Sequence, residues 1–538
     1  MYKPIRAFYQ AFSFSICADA GLRRRSRGEF RCPPLVNGDG DLPGLPALIN
    51  WFDAHWLPVS RTLPARFAAH WLNKYSSCCI FIEKTYCGSC RGEDRDVEKP
   101  DIVIANLGYP RIGERLEGIS ALEAYRAGNI GERELEERLM AVRLARLLKQ
   151  QEAGVDWIPV GDFALYDHVL DHSIAFGLVP ERFAEAAARG PAALAFAMAE
   201  GAPGAAACRT KPWYGTPYQY IVPEPAAFTA PRLVHNPWAE AFREARAHLQ
   251  ALPVPVMIGP YTFAKLAEGL PPEEALERIA PVYAQALRGL HEAGAAWVQL
   301  EEPELARAVP PQHWPLIERT YRALHDAAPP LRLMLQLTFG LPDECARLLE
   351  LPVAGIGLDF AADGGRALEA VAKHGFPAAR VLGVGIVDGR SVWRSDLTAA
   401  CALLENLRRL IPQVRLALQP SCSLLHAPVS LGPGTPPRGL PRHALAFADE
   451  KLGELRVLRT ALTEGRDAVK LDLTDSDVLQ DMLRVLLPAA VPDGGVPVEH
   501  AWVQACGPAC IRPAISGKPA ALAAGRRHAA AGMASGTA

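Results

Sequence analysis

Eight short apolar runs recur along the middle of this chain, and each ends in polar or acidic residues. They are DIVIANL (101–107), VDWIPV (155–160), VPVMIG (254–259), AWVQLEE (296–302), LRLMLQL (331–337), GIGLDF (355–360), VLGVGIV (381–387) and VRLALQ (414–419). Near-continuous apolar runs describe strands covered on both faces, the signature of a parallel sheet flanked by helices. The intervening segments read as helices. ERELEERLMAVRLARLLKQQEAG sets Leu135, Leu139, Val142 and Leu147 on one face and has Gly154 placed to stop it. Eight strands alternating with helices is the count of a closed (β/α)8 barrel of the TIM type, with an open doubly wound sheet as the alternative.

The two ends of the chain lack this regularity. Residues 1–100 mix Trp-rich, Cys-containing and Arg-rich patches without sustained periodicity, and residues 464–538 finish in the Ala/Gly-rich GKPAALAAGRRHAAAGMASGTA. The expected organisation is therefore an irregular extension over 1–100, a barrel over 101–463 and a low-complexity tail over 464–538. One or both ends read as extensions of non-native coding origin. A net charge of −2 gives no electrostatic reason to expect nucleic acid or an anionic membrane as partner. No run of about 18 uncharged apolar residues offers a membrane span. The N-terminus is a poor match to a signal peptide, because Gln10 breaks its apolar stretch, and the 12 cysteines form no dense framework. The expected compartment is the cytoplasm.

In either α/β fold, polar residues at strand C-termini line the functional face. Here they are Tyr109, Arg111, Asp162, Glu301, Glu302, Thr338, Asp359, Asp388, Arg390 and Cys422. Glu301 and Glu302 are adjacent, so at most one faces a shared site. His168-Val169-Leu170-Asp171-His172 copies the spacing of a helical zinc pair, with Asp in place of Glu and no third ligand. Cys422 and His426 have the i,i+4 spacing open to a thiol and its base, although a structural strand-to-helix junction is the plainer reading. CGSC (87–90), Cys506 with Cys510, and the GVGIVDGR glycines each lack the context of a redox, zinc or dinucleotide motif. The rim candidates are Asp162, His168, Glu302 and Cys422.

Eight strings occur in one order: NLGYPRIGERLEG, AGVDWIPVGDFALYDHVL, TKPWYGTPYQYIVPE, MIGPYTF, AWVQLEEP, GVGIVDGRSVWRSDL, PSCSLLHAPVSL and AFADEKLGEL. Together they resemble the N-terminal half of cobalamin-independent methionine synthase, over about residues 103–463. The resemblance implies two face-to-face (β/α)8 barrels in the full-length enzyme and methyl transfer from 5-methyltetrahydropteroyltriglutamate to homocysteine, without cobalamin. It also implies a zinc ion that lowers the homocysteine thiol pKa, with ligands in the C-terminal barrel. After Thr463 only 75 residues remain (538 − 463), without the His-x-Cys element that barrel carries. The expectation is thus a chain of this methyltransferase family without its zinc-bearing half, partnered by 5-methyltetrahydropteroyltriglutamate. The alternatives are a non-catalytic folate-binding module serving a separately encoded catalytic barrel, and a stand-alone enzyme that reuses the barrel mouth.

The implied contacts to the polyanionic folate tail are Arg115, Glu117 and Lys211. The family's Arg-Glu-Leu-Lys-like run reads Leu116, Glu117, Gly118 and Ile119 here, so Ile119 stands where a lysine is expected. In TKPWYGTPYQY, Pro212 is an insertion, and Pro217 and Gln219 replace the usual Asn and His.

Overall fold

The computed structural model of the chain describes residues 101–216, 218–431 and 444–486. All eight apolar runs become strands of one parallel sheet. They are β1 (Ile102–Ile104), β2 (Trp157–Val160), β5 (Leu252–Ile258), β6 (Trp297–Glu301), β7 (Arg332–Gln336), β8 (Gly355–Asp359), β9 (Val381–Val387) and β10 (Arg415–Pro420). Two shorter strands, β3 (Thr210–Pro212) and β4 (Gln219–Ile221), form a separate antiparallel hairpin. The large sheet runs β1-β10-β9-β8-β7-β6-β5-β2. Its two end strands then meet: the Asn106 N–H donates to the Trp157 carbonyl at 3.1 Å, and the Asp156 N–H to the Ile104 carbonyl at 2.9 Å. The sheet is a ring, which decides for the barrel over the open sheet.

Alternation along each strand divides the apolar residues between two sides. Outward residues such as Ile104, Ile158, Val298, Leu300, Leu335 and Leu382 join the large core beneath the helices. Inward residues Val103, Trp157, Val254, Trp297, Met334, Val381 and Ala417 form a separate plug, with the Trp157 and Trp297 rings 4.7 Å apart. The helix Glu132–Glu152 buries the four apolar residues expected of it, and Gly154 ends it at a φ of 84°. It also buries Arg146 and Gln150 on the same face.

Above the apolar plug lies a layer of amides. Gln419 Nε2 donates to Gln336 Oε1 at 2.7 Å, Gln336 Nε2 to Gln299 Oε1 at 2.7 Å, and Gln299 Nε2 to the Asn106 carbonyl at 3.0 Å. The Asn106 side chain continues the chain by donating to Gln150 Oε1 at 2.8 Å. Buried amides of this kind are tolerated only because each finds a partner. The layer fits because β8 and β9 contribute glycines. A Cβ on Gly357 would lie 1.7 Å from Gln336 Oε1 and 2.7 Å from Gln419 Nε2.

The folded chain runs past the boundary expected at 463. The helix Ala448–Glu464 is followed by a helix Lys470–Leu486, which packs on the helix Leu397–Leu410. The reason is local. Leu473, Ser476, Leu479 and Leu483 share one buried stripe of that second helix, and Ser476 Oγ accepts the Leu397 N–H at 3.0 Å. Residues 1–100, with CGSC, and residues 487–538, with Cys506 and Cys510, lie outside the described residues.

Two glycine substitutions separate close packing from backbone freedom. Gly357→Ala should lower unfolding stability by about 1–3 kcal/mol, because the amide layer must shift. Gly453→Ala, in a helix with nothing within 4 Å of the new Cβ, should raise it by about 0.5–1 kcal/mol. Urea unfolding of both variants checks the pair; equal effects would remove the packing explanation.

Candidate functional site

The C-terminal ends of the strands open on a cavity of about 260 Å³. Asp162, His168, Asp171, Glu301, Thr338 and Cys422 line it, with Trp213, Trp238 and Phe339 as aromatic wall. The barrel thus assembles most of the expected rim, but it gives those residues unequal freedom.

Asp162, just beyond β2, is the anchor of a buried ion pair. Its Oδ1 accepts from Arg146 Nη1 at 2.9 Å, and its Oδ2 accepts from Arg146 Nη2 and, at 2.9 Å, from the Tyr109 N–H. Arg146 Nη2 also donates to the Tyr109 carbonyl at 2.7 Å. The carboxylate is fully engaged in holding backbone and helix together, so the expectation of a working acid or base at Asp162 gives way to a structural one.

Glu302 is corrected in the same way. The inward phase of β6 is set by Trp297 and Gln299, so Glu301 faces the cavity and Glu302 faces out. There Glu302 accepts from the Tyr261 N–H at 3.0 Å, the Thr262 N–H at 2.7 Å and the Tyr321 hydroxyl at 2.9 Å. It satisfies the first amides of the helix Pro260–Leu266, away from the mouth. Burial raises its carboxyl to about 7, against those hydrogen bonds.

The histidine pair does not converge. Asp167 caps the helix His168–Ala175 through the Val169 and Leu170 N–H groups. His172 then turns inward, donating from Nδ1 to the His168 carbonyl at 2.6 Å and accepting the Ile258 N–H at Nε2, 3.0 Å away. Both ring nitrogens are used, and burial lowers this imidazole to about 3. His168 stacks instead on Tyr218, with its Nδ1 3.3 Å from the Tyr218 hydroxyl.

Cys422 lines the cavity but is packed against Gly389, and burial, together with the Asp388 charge, pushes its thiol above the usual range. A protonated, buried thiol is no nucleophile. The backbone of Leu424–His426 forms a 3-10 turn, and the His426 side chain lies outside the described residues. Asp359 and Asp388 accept from nearby backbone amides at 2.9–3.0 Å and shape their own loops. Arg111 donates to the Ala164 carbonyl at 2.6 Å, and the Tyr109 hydroxyl to Asp449. Glu301 differs from all of these. No hydrogen-bond donor among the described residues reaches its carboxyl, and burial beside the Asp162 charge raises it to about 8.

A second opening, about 700 Å³, lies between the loop after β1 and the helix Glu132–Glu152. Arg115 and Glu117 line it with Arg138, Arg146 and Lys149. Glu117 Oε2 accepts the Arg115 N–H at 2.9 Å and so shapes the loop. Lys149 bridges Glu114 and, at 2.6 Å, Asp449, while Arg138 pairs with Glu134 at 2.6 Å. Arg115 is exposed and makes no ion pair among the described residues. Lys211 does not join them. It sits on β3 paired with Glu268, outside this groove. Arg138, Arg146 and Lys149 escaped the sequence reading, although Arg146 sits on the helix's apolar stripe, where an arginine signals a buried pair.

The family model for the cobalamin-independent synthase N-terminal domain matches residues 103–412. The chain belongs to this family. A 5-methyltetrahydropteroyltriglutamate–homocysteine methyltransferase of Listeria innocua serovar 6a is 41% identical over 377 residues, covering 70% of this chain and 49% of the relative. The same-named protein of Halalkalibacterium halodurans is 41% identical over 379 residues, covering 70% and 50%. The chain therefore spans about half the length of these curated relatives of the synthase family. A structure titled putative vitamin-B12-independent methionine synthase from Listeria monocytogenes aligns at 15% identity over 68% of this chain and 98% of its own. Its TM-score of 0.43 is too loose to carry either fold or function. The described residues do not fit the zinc that the resemblance implies: among them no three His, Cys, Asp or Glu side chains are grouped to hold a metal. No helix among them is long and apolar enough to cross a membrane.

Glu301 makes stability pH-dependent with a definite sign. Its carboxyl is raised from about 4.5 to about 8 on folding, so the folded chain holds that proton more tightly. Its contribution to stability falls as pH rises between those values. Glu301→Gln, neutral throughout, should lose less melting temperature than the parent between about pH 5 and about pH 8.5. Parallel melting curves would rule this out.

Proposed function

We propose that this chain serves methyl transfer from 5-methyltetrahydropteroyltriglutamate to homocysteine, in the methionine pathway of the cytoplasm, as the barrel that holds the donor's glutamate tail. The observation that carries the reading is the groove beside the loop after β1, where exposed Arg115 stands unpaired near Lys149 and Arg138. A triglutamate tail is a flexible polyanion. Its carboxylates would gain charge-assisted hydrogen bonds from Arg115 and compete with Glu114 for Lys149. Glu117 takes part as the residue that fixes the Arg115 backbone. The tail contact of Lys211 is a separate proposal, since it needs exchange of its Glu268 partner.

Homocysteine activation calls for a metal-held thiolate. Because the described residues do not fit the metal, this reading assigns that chemistry to a zinc-bearing barrel beyond them or on another chain. The groove's part is to bind and orient the donor. A non-catalytic folate-binding module would use the same groove, and supplying a catalytic barrel distinguishes the two: turnover on mixing marks a working half, and binding alone marks a module.

The test is titration of the chain with the triglutamate donor and with its monoglutamate form. The triglutamate should bind more tightly, and the difference should shrink as salt rises from about 50 to about 200 mM. Arg115→Ala should weaken triglutamate binding about fivefold, the scale of about 1 kcal/mol for an exposed charge pair, and leave the monoglutamate form unchanged. Equal affinities for the two forms would overturn the proposal.

A further inference from the structure

The pole of the barrel where the strands begin carries two positive charges that no described residue pairs with. Strand alternation turns Met334 and Ala417 into the apolar plug, and it turns the first residues of the same strands, Arg332 on β7 and Arg415 on β10, inward beneath it. The Arg332 guanidinium lies over the Trp297 ring at 5.5 Å, and that of Arg415 over the Trp157 ring at 5.8 Å. The two rings are 4.7 Å apart, so both cations rest on one aromatic floor. They lie within electrostatic reach of each other, and the Arg332 charge adds to burial in disfavouring the charged form of Arg415.

Stacking on tryptophan places these guanidiniums but does not use their N–H groups. Neither side chain has an ion-pair or hydrogen-bond partner among the described residues, and Nε of Arg415 is enclosed without an acceptor. Asp101 and Asp156 are within reach of the Arg415 charge, but each is committed to another arginine. Asp101 pairs with Arg408 at 3.5 Å, and Asp156 with Arg459 at 2.9 Å while it also accepts the Ile104 N–H at 2.8 Å. An enclosed donor without an acceptor needs a reason, and a neighbouring like charge adds to its cost. One group removes both penalties: an anion with several oxygens and more than one charge. Guanidinium forks match phosphate oxygens bidentately and tolerate an apolar floor, because they are weakly hydrated. Arg332 is exposed, so such a ligand reaches the pair from solvent.

We infer that the N-terminal pole of the barrel binds a phosphate group, as the free anion or as a monoester, between the guanidiniums of Arg332 and Arg415 over the Trp157–Trp297 floor. This site lies at the opposite end of the strands from the mouth and the groove and does not rest on the folate reading. By offsetting the repulsion between the two arginines, the bound anion stabilises the folded barrel.

The probe is inorganic phosphate, titrated into the full chain at ionic strength matched with sodium chloride and followed by phosphorus NMR and by melting temperature. Phosphate should raise the melting temperature where chloride does not. Arg332→Gln, a change at an exposed position, should weaken phosphate binding about fivefold, and Arg415→Gln at least as much. Arg115→Ala, in the groove at the other end, should leave it unchanged. Glycerol 3-phosphate separates the two sources: tighter binding than phosphate marks a monoester site, and weaker binding marks a site for the free anion. An equal response of the wild-type chain and Arg332→Gln, loss of the response in Arg115→Ala instead, or no response beyond that to chloride would each overturn the inference and leave the two arginines as cations stacked on tryptophan.

Discussion

The Arg146–Asp162 ion pair holds the upper half of this barrel in register. Arg146 comes from the helix Glu132–Glu152, Asp162 from the end of β2, and the Tyr109 backbone that both engage comes from the loop after β1. These three segments meet at the seam where β1 and β2 close the ring through only a few backbone hydrogen bonds. A buried pair adds little net stability over an apolar replacement, but losing one partner strands a charge and costs about 3–5 kcal/mol. The pair therefore acts less as a source of stability than as a penalty on every arrangement that opens the seam. Arg146 also borders both openings, so the same residue that closes the barrel separates its two candidate sites.

The interior is layered in a way that leads to the mouth. The tryptophan plug fills the lower barrel, the Gln419–Gln336–Gln299 relay fills the middle, and the carboxyls come last. Each layer limits the next. The amides fit because Gly357 and Gly383 leave room, and their mutual hydrogen bonds satisfy their own donors.

Much of this was legible in the sequence, because the strands are short, apolar on both faces and regularly spaced; all eight runs became barrel strands. The rim was legible as a set but not as roles. Strand alternation shows that only one of Glu301 and Glu302 faces in, and the choice depends on Trp297 packing against Trp157 across the barrel, 140 residues away in sequence (297 − 157). The i,i+4 spacing of His168 and His172 is compatible with a metal pair, and only the Ile258 amide of β5, meeting His172 Nε2, removes it. The helix Lys470–Leu486 went unread because its stripe includes Ser476, whose hydroxyl is buried by hydrogen bonds to Ser395 and Leu397 rather than by apolar packing. Long-range partners decided each of these cases, and no local window contains them.

Two openings of opposite character on one barrel end bear on how a charged substrate distributes itself. At the mouth, Glu136 and Glu244 neutralise Arg143, and Asp162 neutralises Arg146, while Glu301 and Asp171 make no ion pair among the described residues. In the groove, Arg115 makes no ion pair among the described residues, and the Glu117 carboxylate beside it accepts only the Arg115 N–H. A polyanionic tail entering the mouth would have to lose water beside Asp171 and Glu301, whereas in the groove it keeps solvent and gains a guanidinium. Low local dielectric sharpens the first effect more than water weakens the second. The division of charge therefore excludes the tail from the barrel interior as effectively as it attracts it to the rim. The seam residue Arg146, held by Asp162 on the mouth side, marks the line between the two.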